Sequence, residues 1–354
     1  MSQSRSSNAL LKPVAVDAMG ADRGSDTVVD GVVQAARRFG LPSIIVGDSK
    51  LISDRLSKLG ALGDARIQVQ HASEVVTMED APVSAIRNRP DSSMRVACEL
   101  VKGGQASAVI SPGNTGAFLA AGIICCGRMQ GIERPAIGTL IPTMSAHKKV
   151  VLLDGGANVD CTSEQLVQFA LMGDSYASAA FGIASPKVAL LSNGSESSKG
   201  TDIIRAAAER LRSIPGINFT GYVESHDIAR ATADVVVCDG FVGNMVLKAM
   251  EGTAAIVVEG LIHYLKKGFY GHVAGWFLRP LLKRLYYEKL DSSASGGAPL
   301  LGLDYPAIVC HGASNSRAIM NAVKLAHGFV ESDVVGRLRT ELRDLDNIGM
   351  EQRL

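Results

Sequence analysis

The chain has 354 residues, 47% of them hydrophobic, with 36 Lys+Arg against 35 Asp+Glu for a formal net charge of +1. That much apolar material supplies a large core, and the near-zero balance gives no general electrostatic attraction to nucleic acid, so none is expected as a partner. Residues 1–12 are Ser-rich, with Ala9-Leu10-Leu11 as their longest apolar stretch, and no run approaches the roughly 20 apolar residues that span a bilayer, so the expectation is a cytoplasmic protein.

Residues 1–12 read as a disordered tail. Val14-Ala15-Val16 is the first strand and runs into Asp17-Ala18-Met19-Gly20-Ala21-Asp22, after which Val28, Val29, Val32, Val33 and Ala36 recur at helical spacing. Ile44-Ile45-Val46 and the segment from Leu51 to Leu59 repeat the strand and helix, and Ile67-Gln68-Val69 gives a third strand. This alternation predicts an α/β fold of three layers (αβα) around a mainly parallel sheet. Between His71 and Met94 the alternation lapses. The polar stretch from Ala81 to Ser93, with Arg87 and Arg89, reads equally as a cover over a cleft or as a surface loop with solvated arginines.

The most informative segment follows. Ala108-Val109-Ile110 leads into Ser111-Pro112-Gly113-Asn114-Thr115-Gly116-Ala117, a strand, a small-residue turn and a helix start. A helix start leaves N–H groups without intrahelical partners and favours negative charge, so such a turn suits phosphate. Gly113 and Gly116 permit close approach, while Asn114 and Thr115 offer an amide and a hydroxyl. Any single turn of this kind is more often an ordinary αβ connection. Four more share its layout: Val150-Val151-Leu152-Leu153 into Asp154-Gly155-Gly156-Ala157-Asn158, Val188-Ala189-Leu190-Leu191 into the loop from Ser192 through Lys199-Gly200, Val235-Val236-Val237-Cys238 into Asp239-Gly240-Phe241-Val242-Gly243-Asn244, and Ile308-Val309-Cys310 into His311-Gly312-Ala313-Ser314-Asn315. Ligands of parallel sheets sit beyond the carboxyl ends of the strands, so one site assembled from distant loops is expected. The G-x-G-x-x-G and P-loop patterns are missing, which disfavours nucleotides.

Residues 253–291 form a second anomaly, read as a protruding helical hairpin whose first helix ends near Gly268 and whose second starts at Pro280. It concentrates Trp276, Phe277, Leu281 and Leu282 with the cations Lys266, Lys267, Lys283 and Arg284. Apolar surface flanked by cations suits an anionic membrane or an acidic protein, and a face buried against a second subunit is an equally good reading. The six cysteines lie mostly in apolar contexts without metal-ligand spacing, so they read as buried thiols, and neither metal nor cofactor is assigned. The remainder is expected to belong to one two-lobed domain over 13–345, with a tail at 346–354.

From Val14 to about Val330 the chain resembles the PlsX family, the bacterial phosphate acyltransferases of phospholipid synthesis. The resemblance rests on Val16-Asp17-Ala18-Met19-Gly20, Ser111 to Gly116, Leu153 to Asn158, Asp239 to Asn244, and Gly296-Gly297-Ala298-Pro299-Leu300-Leu301-Gly302, in that order. It implies an isocitrate/isopropylmalate dehydrogenase-like fold, a homodimer, and transfer of a long-chain acyl group from acyl carrier protein to inorganic phosphate. It also implies peripheral contact with the inner face of the cell membrane and a membrane glycerol-phosphate acyltransferase that consumes the product. By position it makes Lys199 and Asn244 catalytic. Gly113, Asn114, Thr115 and Gly116 then hold phosphate, and Asp17, Asp154, Asn158, Asp239 and His311 organise the site. An Asp at a strand end is more often a helix cap, and His311 more often structural. Pro112 stands where a small residue is usual, and Ser192-Asn193-Gly194-Ser195-Glu196 lacks the usual acidic pair near Lys199. A phosphotransacetylase acting on acyl-CoA and a non-catalytic scaffold that recruits a membrane partner are the competing readings.

Overall fold

The computed structural model describes residues 11–145, 148–266, 276–280 and 296–351. They fall into two compact units, one of Met1–Cys126 with Tyr305–His327 and one of Gly127–Asp304 with Gly328–Leu354.

The first unit opens with β1 (Val14–Asp17), α1 (Ser25–Phe39), β2 (Ser43–Gly47), α2 (Ser49–Lys58) and β3 (Ile67–His71). The stretch that lapsed in the sequence is not a loop. It holds α3 (Pro82–Asn88), followed at once by α4 (Ser93–Lys102). Pro82 occupies the first turn of α3, where its missing N–H costs nothing, and Ala85 and Ile86 turn inward. The helix is short and its outer face polar, so apolar periodicity alone does not reveal it. β4 (Val109–Ser111) and α5 (Thr115–Ala121) complete the run, and α5 passes directly into a π-helical turn at Gly122–Cys126.

The second unit contains β5 (Ala136–Ile137), β6 (Thr139–Pro142), β7 (Lys149–Leu153), α6 (Ser163–Phe181), β8 (Lys187–Leu191), α7 (Asp202–Ser213), β9 (Asn218–Val223), α8 (Ser225–Arg230), β10 (Val235–Val237), α9 (Gly240–Leu265) and β11 (Ala298–Leu301). The chain then returns to the first unit for β12 (Ala307–Val309) and α10 (Ser316–Glu331), most of which belongs to that unit, and ends in the second with α11 (Val334–Glu351). No proline interrupts 334–351, and the helix runs into the segment expected to be a tail.

In the first unit the strand order is β3-β2-β1-β4-β12, with every neighbouring pair parallel. In the second it is β6-β7-β10-β8-β9, parallel except for β6 against β7, with β5 and β11 paired antiparallel. The apolar runs of the second unit follow from this. Val151, Leu153, Val188, Leu190, Val235 and Val237 face one core with α6, α7 and α11, while Val150, Leu152, Ala189, Leu191 and Val236 face another with α8 and the first part of α9. Central parallel strands covered on both faces need apolar residues at successive positions, which is why they read as unbroken runs.

The expected hairpin is described only in part. α9 ends at Leu265, three residues before Gly268. Residues 276–280 are already helical, so Pro280 does not open the second helix; its fixed φ is compatible with a helix that begins upstream. Lys267, Leu281, Leu282, Lys283 and Arg284 lie outside the described residues.

Candidate active site

Each unit brings three loops to the carboxyl ends of three neighbouring parallel strands. In the first unit these follow β1, β4 and β12; in the second they follow β7, β10 and β8.

At the first edge Asp17 is fully buried at the end of β1. Its Oδ1 accepts from the Ser93 hydroxyl at 2.7 Å and the Met19 N–H at 3.1 Å, and its Oδ2 accepts from the Ser111 hydroxyl at 2.7 Å. Burial pushes this carboxyl upward from its usual range, and the two hydroxyls and the backbone donors pull it back. Asp17 thus ties the β1 loop to α4 and to β4. Gly20 and Gly113 meet directly, since a Cβ on Gly20 would lie 2.7 Å from the Gly113 Cα.

The turn after β4 uses its polar atoms internally. Asn114 caps α5, its Oδ1 accepting from the Ala117 N–H at 3.0 Å. Its Nδ2 donates to the carbonyls of Thr77, Met78 and Asp80 at 3.2, 3.1 and 3.3 Å. The side chain expected to donate to phosphate therefore anchors the 77–80 segment. The glycines also face protein. A Cβ on Gly113 would meet Met94 Cε at 2.8 Å, and one on Gly116 would meet Pro82 Cγ at 2.9 Å. What this turn offers an anion is the Thr115 hydroxyl and the first-turn N–H groups of Thr115 and Gly116, which no carbonyl of the helix can reach. Beyond β12, His311 is exposed, and its Nδ1 accepts from the Ala313 N–H at 3.1 Å, leaving Nε2 to carry the proton of the neutral ring. That bond holds the 311–314 turn.

Of the two arginines in the lapsed stretch, Arg89 is ion-paired. It grips Asp80 through two bonds of 2.5 and 2.9 Å and donates to the Val75 carbonyl at 2.6 Å. The guanidinium holds the Asp80 carboxyl down at about 2. Arg87 is exposed.

At the second edge Asp154 is the organiser. It is fully buried; Oδ1 accepts from the N–H groups of Ile137, Gly156 and Ala157 at 3.0 Å each, and Oδ2 accepts from the Asn158 N–H at 2.7 Å and its Nδ2 at 2.9 Å. Asn158 also donates to the Pro135 carbonyl and accepts the Gly240 N–H at 2.7 Å. Asp239 caps α9, taking the Val242 N–H at 2.8 Å. The glycines of this motif are steric necessities: a Cβ on Gly243 would lie 1.9 Å from the Asp154 carbonyl oxygen, and one on Gly240 would lie 2.7 Å from that of Asn158. The first turn of α9 is thereby pressed onto the loop after β7. Asn244, one residue further, is exposed beside Gly156, whose added Cβ would sit 3.4 Å from the Asn244 Cβ.

Lys199 follows β8, next to β10 in the sheet. Its aliphatic stem crosses Gly194, where an added Cβ would meet Cγ at 2.8 Å, and the Glu196 carboxylate crosses the same glycine, 2.7 Å from that Cβ. The Lys199 N–H donates to the Glu196 carbonyl at 3.0 Å. An acidic group thus does stand beside Lys199, supplied from within the loop.

Cys125, Cys161 and Cys310 are poor nucleophiles. Burial pushes Cys310 up to about 12 and Cys125 and Cys161 up to about 11. α9 is largely uncovered: Phe241, Met245, Ile256, Val257 and Tyr264 are more than half exposed, and Gly240 and Gly243 are its buried residues. Lys266, Trp276 and Phe277 are also exposed. No helix among the described residues is long and apolar enough to cross a membrane.

Residues 13–337 match the family described as fatty acid synthesis protein. The chain is 46% identical over 331 residues to the phosphate acyltransferase of Citrifermentans bemidjiense, covering 94% of this chain and 93% of that protein. It is 44% identical over 339 residues to that of Geobacter sulfurreducens, covering 96% of each. The fold is similar to a phosphotransacetylase from Streptococcus pyogenes, with TM-score 0.59 and 19% identity over 90% of this chain and 94% of the other. It is also similar to the EutD phosphotransacetylase from Staphylococcus aureus, with TM-score 0.56 and 14% identity over 90% of this chain and 95% of the other.

Proposed function

The chain belongs to the fatty acid synthesis protein family and is an acyltransferase, and from that premise we propose that it transfers a long-chain acyl group from acyl carrier protein to inorganic phosphate. A phosphate oxygen attacks the thioester carbonyl carbon, the C–S bond breaks, and the thiolate takes up the proton released by phosphate. The products are acyl phosphate and free carrier thiol. Phosphate is a nucleophile at neutral pH, so the protein needs to hold two anionic reactants in line and requires no acyl-enzyme.

The single observation that carries this reading is the second edge, where an exposed amide, Asn244, and a lysine, Lys199, stand at the ends of neighbouring strands. Such donors stabilise the oxygen that becomes negative in the tetrahedral intermediate, each worth about 3–4 kcal/mol in related acyl transfers. Asp154, Asn158 and Asp239 fix the loop and the helix start from which Asn244 projects. Phosphate binding falls to the Thr115 hydroxyl and the N–H groups of Thr115 and Gly116, with Gly113 and Asn114 shaping that turn. His311 organises the turn after β12 through the bond it accepts from the Ala313 N–H.

The uncovered apolar residues of α9 with Lys266, Trp276 and Phe277 support a surface for acidic carrier protein, a second copy of the chain, and peripheral contact with the cytoplasmic face of an anionic membrane. Acyl phosphate hydrolyses readily, so delivery to a membrane glycerol-phosphate acyltransferase follows. The likeness to phosphotransacetylases supports an alternative, acyl-CoA as donor. Thiol release from palmitoyl-acyl carrier protein and from palmitoyl-CoA, each with and without orthophosphate, separates them. Phosphate-dependent release from the carrier protein is the expected result; equal use of CoA contradicts carrier-protein specificity, and release from neither contradicts the function.

A further inference from the structure

The stretch from Thr77 to Arg89 touches the start of α5 at two places, through Asn114 and through Pro82. Its own conformation is fixed by one carboxylate. Asp80 Oδ2 accepts from the Thr77 N–H at 2.7 Å and hydroxyl at 2.9 Å, and both carboxylate oxygens receive the Arg89 guanidinium. Three carbonyls of that same turn, at residues 77, 78 and 80, converge on the Asn114 amide, and Asn114 Oδ1 takes the Ala117 N–H. A chain of bonds thus runs from Arg89, the residue that caps α3, to the first turn of α5.

We infer that Arg89 and Asp80 are positioning residues for anion binding, acting through Asn114 to set the first-turn N–H groups of α5. The inference rests on the phosphate reading of that turn. Neither residue reaches the anion. Their joint effect is geometric: without the ion pair the turn at 77–80 loses its closing bonds, the three carbonyls lose their common focus, and Asn114 is free to rotate away from Ala117. The bidentate fork is matched to a carboxylate, and Arg89 adds a third bond to the Val75 carbonyl, so lysine can replace the charge while losing part of the geometry. Gly116 against Pro82 sets a second, steric reference that fixes how closely α3 seats.

The test compares Asp80→Ala, Asp80→Asn, Arg89→Ala and Arg89→Lys, with Arg87→Ala as an exposed control on the same helix. Two readouts are taken: Michaelis constants for phosphate and for the acyl donor, and hydrogen exchange of the Ala117 amide. The alanine variants are expected to raise KM for phosphate about tenfold while KM for the donor stays within about twofold, and to speed Ala117 exchange about tenfold. Arg89→Lys and Asp80→Asn should fall between these and the native protein, and they carry the test if an alanine variant does not fold. A parallel rise in both Michaelis constants, or unchanged Ala117 exchange, overturns the inference. Native protein with no phosphate-dependent turnover would remove the functional reading instead, and Ala117 exchange would still decide whether the ion pair holds α5.

Discussion

The first sheet edge brings Asp17, Ser111 and His311 to the ends of β1, β4 and β12, and the second brings Asp154, Asp239 and Lys199 to the ends of β7, β10 and β8. At the first, the polar side chains bond to one another and to the backbone: Asp17 to two serines, Asn114 to three carbonyls and one N–H, His311 to Ala313. At the second, Asp154 and Asp239 do the same work, but Asn244 and Lys199 stand beyond the bonded shell. On the proposed function, the difference separates two tasks. An edge that binds a symmetrical anion needs rigid main-chain donors, whereas one that meets a developing oxyanion needs a side-chain donor free to point at it.

The sharpest way to break this comparison is Gly243→Ala. Its methyl would overlap the Asp154 carbonyl, with main chain on both sides of the clash, so a loss of 3 kcal/mol or more, roughly the upper range for overpacking, is expected in chemical denaturation, with loss of activity. Gly252→Ala, later on α9 with open space around it, should instead stabilise by about 0.5–1 kcal/mol. Next come Asn244→Ala and Lys199→Ala. Each should lower kcat about 100- to 1000-fold with little change in melting temperature, because neither side chain closes a loop. A fall in stability that matches the fall in rate would place them with the structural residues.

Asn114→Asp probes the other edge. It keeps an acceptor for Ala117 but sets a carboxylate against three carbonyl oxygens, so it should destabilise by about 1–3 kcal/mol, more than Asn114→Ser, in the same denaturation assay. Asp174, on α6, gives a smaller effect of known sign. Burial and the nearby Glu341 push its carboxyl up to about 6, above its unfolded value. The native state therefore holds the extra proton between about pH 4 and 6, and stability falls as pH rises through that window. Asp174→Asn should flatten that slope and raise the melting temperature at pH 7. Tyr176, whose buried hydroxyl has no partner among the described residues, should gain about 1 kcal/mol as Tyr176→Phe.

Much of this was legible in the residues. The unbroken apolar runs identify strands buried on two faces, and Asp239 three residues before Val242-Gly243 reads as a helix cap because its side chain is short enough to reach that N–H. Asn114 is expected from the sequence to donate to phosphate, whereas it caps α5, and its three carbonyl partners come from a turn some 34 to 37 positions earlier that nothing local marks. α3 escaped because a seven-residue helix with a polar outer face has too few turns to show a period. Arg89 and Asp80 were visible only as charges; their pairing depends on how that helix closes the turn. Gly113 and Gly116 are expected from the sequence to admit an anion, whereas their close neighbours, like those of Gly240 and Gly243, are protein atoms.

The most direct measurement is a single turnover of long-chain acyl-acyl carrier protein with enzyme in excess, following thiol release with and without oxygen-18-labelled orthophosphate. Direct attack gives no thiol without phosphate and, with it, one equivalent of thiol with labelled acyl phosphate, both slowed in Asn244→Ala and Lys199→Ala. A stoichiometric burst of thiol in the absence of phosphate would reveal an acyl-enzyme and contradict the account.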